Sequence, residues 1–304
     1  MWEGSVKSAL IIYSDTAAYI IPGFTMFSAD YSVSRWVKIL DLIPDFSAMA
    51  SAVNVFMIGP AGCGKTSLTA AFGRWLEEEL EDRPVYVNLD PGVLSLPYEP
   101  SYDVRGIVSV GDLMRREGLG PNGAMIRAAE VIEERVGEIV EEVRRLGNGS
   151  GYVLVDTPGQ MELFLFREMG PRIVEALSSG SRSVAVYIVD PFLASSPSGL
   201  AISLSMSIIT RLRLQVPVIS VVNKSDIFDV GEFEELLLDE SRLMERIAAE
   251  EHGLIADLSI RFVGFLKDLS KAMRIVKVSA KTGKGMPELY NLISDALCEC
   301  GDLT

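Results

Sequence analysis

Eight residues constrain the fold of this chain more than any others: Gly59-Pro60-Ala61-Gly62-Cys63-Gly64-Lys65-Thr66, directly after the apolar run Val53 to Ile58 and directly before a helical stretch. The spacing is G-x-x-x-x-G-K-[ST]. Glycines in that pattern let successive backbone N–H groups curl around a β-phosphate, while the N-terminus of the next helix adds its positive end. Lys65 is expected to bridge the β- and γ-phosphates and the Thr66 hydroxyl to coordinate Mg²⁺, with Ser67 next in the same cradle. Pro60 stands where metal-chaperone and cell-division ATPases carry a second lysine, which argues against that subgroup.

The rest of the chain continues the rhythm that this loop begins. Short β-branched runs at Val85 to Leu89, Tyr152 to Val155, Val184 to Val189, Val216 to Val222 and Ile275 to Val278 alternate with amphipathic stretches. That pattern predicts an α/β three-layer P-loop NTPase fold, a mostly parallel sheet with helices on both faces. Ala124 to Leu146 places Ile126, Ala129, Ile132, Val136, Ile139, Val140 and Val143 at helical spacing and reads as one long helix. The 304 residues, 48% hydrophobic, are ample for one such domain, assigned to 51–304, with insertions at about 91–130 and, helical, at about 227–273. Residues 1–50 do not share the rhythm and read as an appendage. Met49 sits just before the first strand, so that segment is expected to be a mis-called start.

Two further strand ends carry chemistry. Asp156-Thr157-Pro158-Gly159-Gln160 fits D-x-x-G: Asp156 would hold Mg²⁺, Gly159 would offer its N–H to a γ-phosphate, and Gln160 would orient an attacking water. Asn88-Leu89-Asp90-Pro91 makes Asp90 a second group near the metal or the water. After the run ending at Val222, Asn223-Lys224-Ser225-Asp226 fits N-K-x-D. Asp226 can accept from guanine N1–H and the exocyclic amine together, whereas adenine presents an acceptor at N1. The Lys224 stem can lie along the purine, and Asn223 can reach N7 or brace neighbouring loops. Ser279-Ala280-Lys281 lies where a backbone N–H meets guanine O6. In this order the four motifs predict a GTP hydrolase with GTP/GDP and Mg²⁺ as ligands.

Composition excludes other classes. With 28 Lys+Arg against 42 Asp+Glu the chain lacks the clustered cations of a nucleic-acid binder. Its cysteines, Cys63, Cys298 and Cys300, and its single histidine, His252, build neither a disulfide framework nor a zinc site. The stretch around Ala9 to Phe27 is broken by Asp15 and Pro22, too short for a membrane span, so the expected location is the cytoplasm.

Over about residues 53 to 290 the chain resembles the GPN-loop GTPases, in their archaeal form. The resemblance rests on Gly120-Pro121-Asn122, Leu96-Pro97-Tyr98-Glu99-Pro100, Asp103-Val104-Arg105, Asn88-Leu89-Asp90-Pro91 and Asp156-Thr157-Pro158-Gly159-Gln160-Met161-Glu162. It implies a homodimer in which Asn122 works on the partner's phosphates in trans, with Gln160 and Glu162 orienting the water. It also implies, by analogy, an assembly factor for a client such as RNA polymerase. Arg105 competes as a source of positive charge near the phosphates, its ordinary reading being an ion pair to Asp103 or a neighbouring Glu, and Asn122 alone reads as an N-cap of the next helix. Two other classes compete: a nucleotide-gated dimeric scaffold with incidental turnover, and a P-loop ATPase or metal-insertion factor.

Overall fold

The computed structural model describes residues 9–13, 18–22, 52–228, 240–250, 252–254, 256–261 and 275–299. The chain divides into two units, Met1–Ser47 and Ala48–Thr304. Within the first, β1 (Ala9–Tyr13) and β2 (Ala18–Pro22) pair antiparallel.

In the second, β3 (Val53–Ile58) leads through the glycine loop into α1 (Lys65–Leu80) and then β4 (Val85–Asn88). An excursion follows through β5 (Tyr102–Asp103), α2 (Val110–Glu117), α3 (Pro121–Glu134) and α4 (Val136–Gly147). The chain returns as β6 (Tyr152–Asp156), α5 (Met161–Leu165), α6 (Met169–Ser178) and β7 (Ser183–Val189). It continues as α7 (Pro191–Ala194), α8 (Pro197–Leu214), β8 (Val218–Val222), α9 (Glu240–Glu250), β9 (Ile275–Lys277) and α10 (Met286–Glu299).

The seven strands lie in the order β5-β4-β6-β3-β7-β8-β9, every pair parallel. A parallel sheet needs cover on both faces, and β3 shows how the sequence supplies it. Val53, Val55 and Met57 enter one apolar layer with Leu68, Phe72 and Leu76 of α1 and Leu289 and Ile293 of α10. Phe56 and Ile58 enter the other, with Ile132, Ile139 and Val143 of α3 and α4, Phe164 of α5 and Ile173 of α6. Because the chain leaves β3 for β4 and β6 on one side and later crosses to β7 on the other, the strand order reverses at β3. Loops at the carboxyl ends of the strands diverge there and leave a crevice.

The predicted long helix is two. Arg135, at φ −112° and ψ 16°, ends α3, its N–H bonded to the Ile132 carbonyl, before α4 restarts at Val136. β-Branched Val136 followed by Gly137 is a weak helical pair, and the break lets both segments bury their apolar faces in the same layer. Within the predicted helical insertion of 227–273 the described residues include α9, whereas 229–239 and 262–274 lie outside them, as does Cys300. No helix among the described residues is long and apolar enough to cross a membrane.

Candidate nucleotide site

The loop after β3 is built by conformations that few residues adopt. Gly62 and Gly64 sit at φ 79° and 98°, and a Cβ on Gly64 would also overlap the Asn223 amide. Under the loop the Cys63 thiol is buried against Gly59, and burial pushes its pKa up, so it packs as an apolar atom. Pro60, Ala61 and Gly62 form the outer rim. Buried Lys65 donates to the carbonyls of Gly59 at 2.7 Å, Pro60 at 3.0 Å and Gly159 at 3.5 Å. Thr66 follows on the first turn of α1.

Asp156 ends β6 abreast of Met57 and Asn88, and the Thr157 hydroxyl pins the following turn to the Met57 carbonyl at 2.6 Å. The Asp156 side chain is wholly buried. Its Oδ2 accepts from the Tyr98 hydroxyl at 3.0 Å, while Oδ1 has no hydrogen-bond partner. Burial raises the carboxyl to about 6, opposed by the Thr66 and Tyr98 hydroxyls and by Lys65, and reinforced by Asp90. A desolvated carboxylate oxygen without a donor, beside a threonine hydroxyl, is a hard-oxygen arrangement that fits Mg²⁺.

Asp90 accepts from two backbone donors, Gly92 N–H at 2.8 Å and Gly159 N–H at 2.9 Å. The N–H expected to meet a γ-phosphate is therefore engaged by Asp90. The loop after β4 is framed by buried Asn88, which donates to Asp103 at 2.9 Å, and by Arg105, paired to Asp103 at 2.6 Å and bonded to the Val93 carbonyl. Burial pushes the Asp103 carboxyl up, but Arg105 and Asn88 hold it below its ordinary range.

Gln160 donates to Oδ1 of Asn122 at 3.4 Å within the chain, so the two water-orienting candidates meet at the rim. Asn122 is not an N-cap: Gly120 is the N-cap of α3 and Pro121 the first helical residue, because its fixed φ suits that position. The exposed Asn122 amide therefore has no capping duty. Glu162 is exposed on the first turn of α5.

On the base side, Asn223 braces two loops, donating to the Cys63 carbonyl at 3.1 Å and accepting from Ala280 N–H at 3.1 Å. Of the two roles open to it in the sequence, the geometry has the brace. Lys224, at φ 63°, reaches the Gly62 carbonyl at 2.8 Å, and the Ser279 hydroxyl steadies Asp226 Oδ1 at 2.7 Å. A cavity of about 520 Å³ is lined by Gly64, Ser67, Asn223, Lys224, Asp226 and Lys281, and also by Arg74 and Pro97. A cavity of similar size, about 530 Å³, opens at the opposite end of the strands around Asn54, Arg144 and Ser181. It holds none of these motifs, so chemistry rather than volume selects between them. Arg74, Pro97 and Tyr98 were not given roles by the sequence; Tyr98 stood out only as part of a family pattern.

A sheet of this topology carrying these loops at the ends of its strands is that of a P-loop nucleoside triphosphatase. A sequence-family model described as "Conserved hypothetical ATP binding protein" matches residues 57–299, and GPN-loop GTPase PAB0955 of Pyrococcus abyssi is 38% identical over 82% of this chain and 99% of that one. The chain belongs to the GPN-loop GTPase family and is a GTP hydrolase. The crystal structure of PAB0955 in apo form matches with a TM-score of 0.73 over 82% of this chain and 98% of that chain, at 37% identity. GPN-loop GTPase 1 of Dictyostelium discoideum is 28% identical over 79% of this chain and 60% of its own length.

Proposed function

We propose that the chain is a Mg²⁺-dependent GTPase acting as a homodimer, with the phosphates in the loop of residues 59–66 and guanine read by Asp226. The metal part rests on one observation: Oδ1 of Asp156 is fully buried without a partner, a costly arrangement unless a cation meets it. Thr66 and Asp156 would hold Mg²⁺, with Asp90 nearby; when bound, the ion neutralises charge on the β- and γ-oxygens. Lys65 would exchange the Gly59 and Pro60 carbonyls for phosphate oxygens, and Gly159 N–H would exchange Asp90 for the γ-phosphate. Asp90 and Gln160 would then be available to accept from and orient the water. The matching family model is described by ATP and the relatives by GTP; the Asp226 carboxylate, matched to two guanine donors, favours the latter.

Asn122 is exposed at the start of α3 with its amide free of capping work, which suits service to a second copy's site. Mixing two inactive variants, Asn122→Ala and Gln160→Ala, tests this. In trans, each mixed dimer holds one complete site, so an equilibrated equal mixture should regain about a quarter of wild-type turnover. A mixture as inactive as its components would return Asn122 to its own chain. The proposal extends by analogy to a protein client such as RNA polymerase or its assembly machinery; equal co-purification with GDP and with a GTP analogue would count against a GTP-gated client.

A further inference from the structure

An aspartate side chain turns about a terminal torsion with a broad, roughly two-fold profile, so a carboxylate serves a metal best when something fixes its orientation. In Asp156 the Tyr98 hydroxyl sets the two oxygens apart, while the Thr66 hydroxyl nearby also favours the carboxylate. The Tyr98 hydroxyl takes Oδ2 at 3.0 Å, and Oδ1 is the oxygen left unpartnered.

Tyr98 is itself immobilised. Its ring stacks on Tyr86 with centroids 5.0 Å apart and planes 18° from parallel. Tyr86 in turn donates to Glu77 of α1 at 3.0 Å, and its phenol fills the space over Gly73, where a Cβ would overlap it. Prolines at 97 and 100 stiffen the backbone on either side. The helix carrying Lys65 and Thr66 at its first turn is thus tied through two aromatic rings to the carboxylate at the end of β6.

We infer that Tyr98 is a positioning residue for the divalent cation: its hydroxyl orients Asp156 so that Oδ1 remains available to a metal bound with the nucleotide. The inference rests on the Mg²⁺-dependent reading above. Tyr98→Phe tests it, because the substitution keeps the ring and its stack and removes only the donor. The readout is Mn²⁺ affinity of the protein·GDP complex by electron paramagnetic resonance, beside mant-GDP affinity in EDTA and thermal stability.

Partners that orient a metal's ligand typically account for 10–100-fold in affinity, so Mn²⁺ binding should weaken at least about tenfold, with mant-GDP affinity in EDTA unchanged. Tyr98→Leu, which also loses the stack, should show the same metal loss together with a lower melting temperature. Mn²⁺ affinity in Tyr98→Phe that is unchanged or tighter overturns the inference, as does an equal loss of mant-GDP affinity with and without metal, the mark of a merely structural role. If wild-type protein·GDP binds Mn²⁺ no better than protein alone, the metal reading itself fails and the inference falls with it.

Discussion

Replacing Asp156 with asparagine should stabilise the protein when neither metal nor nucleotide is supplied, even though it removes a group on which the proposed activity depends. The wholly buried carboxyl is raised from 3.8 to about 6, chiefly by desolvation. A raised acid contributes its full stability below the unfolded value, near pH 4, and loses it as pH climbs through 6; above that window the ionised form costs on the order of 3 kcal/mol. Asparagine carries no charge and its oxygen still accepts from Tyr98, but its NH₂ is left short of a partner, returning about 1 kcal/mol. A net gain of roughly 2 kcal/mol corresponds to a melting temperature about 4–8 °C higher for a domain of this size. Scanning calorimetry in EDTA at pH 7.5 and at pH 4.5 reads it: the variant should lead at the higher pH and draw level at the lower. With Mg²⁺ and a non-hydrolysable GTP analogue the order should reverse. A variant no more stable at pH 7.5, or equally ahead at both pH values, would refute the argument that a desolvated charge waits there for a cation.

Three further perturbations separate the other parts. In Asp226→Asn the Ser279 hydroxyl can donate to the new amide oxygen, so the loop should persist while GTP affinity falls at least about a hundredfold and xanthine nucleotides bind in its place; calorimetry showing unchanged GTP affinity would remove Asp226 from base reading. Asp90→Ala should lower single-turnover hydrolysis by roughly a hundredfold or more while GTP affinity holds or tightens, since the competitor for Gly159 N–H is gone; a parallel loss of GTP and GDP affinity would make Asp90 structural only. Gly73→Ala lies inside α1, where such a change ordinarily gains about 1 kcal/mol; here the Cβ would overlap the Tyr86 ring held by Tyr98. Chemical denaturation should therefore show a loss of about 1–3 kcal/mol.

What the sequence discloses and what it hides divides along distance in the chain. The sheet and its strand ends are legible because each strand is a local apolar run, and the glycine loop, D-x-x-G and N-K-x-D carry their chemistry in residues that are neighbours. The break at Arg135 is hidden because Ile132 and Val136 are four apart, so apolar spacing runs across the interruption unbroken. The two residues of β5 are too few to show a period. Tyr98 to Asp156, Asp90 to Gly159 and Gln160 to Asn122 span 58, 69 and 38 residues. They exist only because β4 is in register with β6 and the loop after β4 folds back over that edge. Motif reading names such residues but cannot pair them.

That pairing changes how the phosphate site should be understood. Gly159 is held at both ends, its N–H by Asp90 at 2.9 Å and its carbonyl by Lys65 at 3.5 Å. A carboxylate and an ammonium held by the two successive peptide groups that flank one α-carbon thus each have a partner, which avoids the cost of leaving the buried Lys65 charge bare. On the reading proposed above, a γ-phosphate offers Lys65 a stronger acceptor and Gly159 N–H a charged one, replacing both contacts at once. GDP, lacking that group, has no reason to displace Asp90. The distinction between triphosphate and diphosphate would then be made at a single residue, Gly159, and passed to residues 90–105 through Asp90. Tyr98 lies within that same stretch, with its hydroxyl on the metal's carboxylate. Sensing of the γ-phosphate and orientation of the metal ligand are in this way functions of one loop, and separating them experimentally needs Asp90 and Tyr98 changed one at a time.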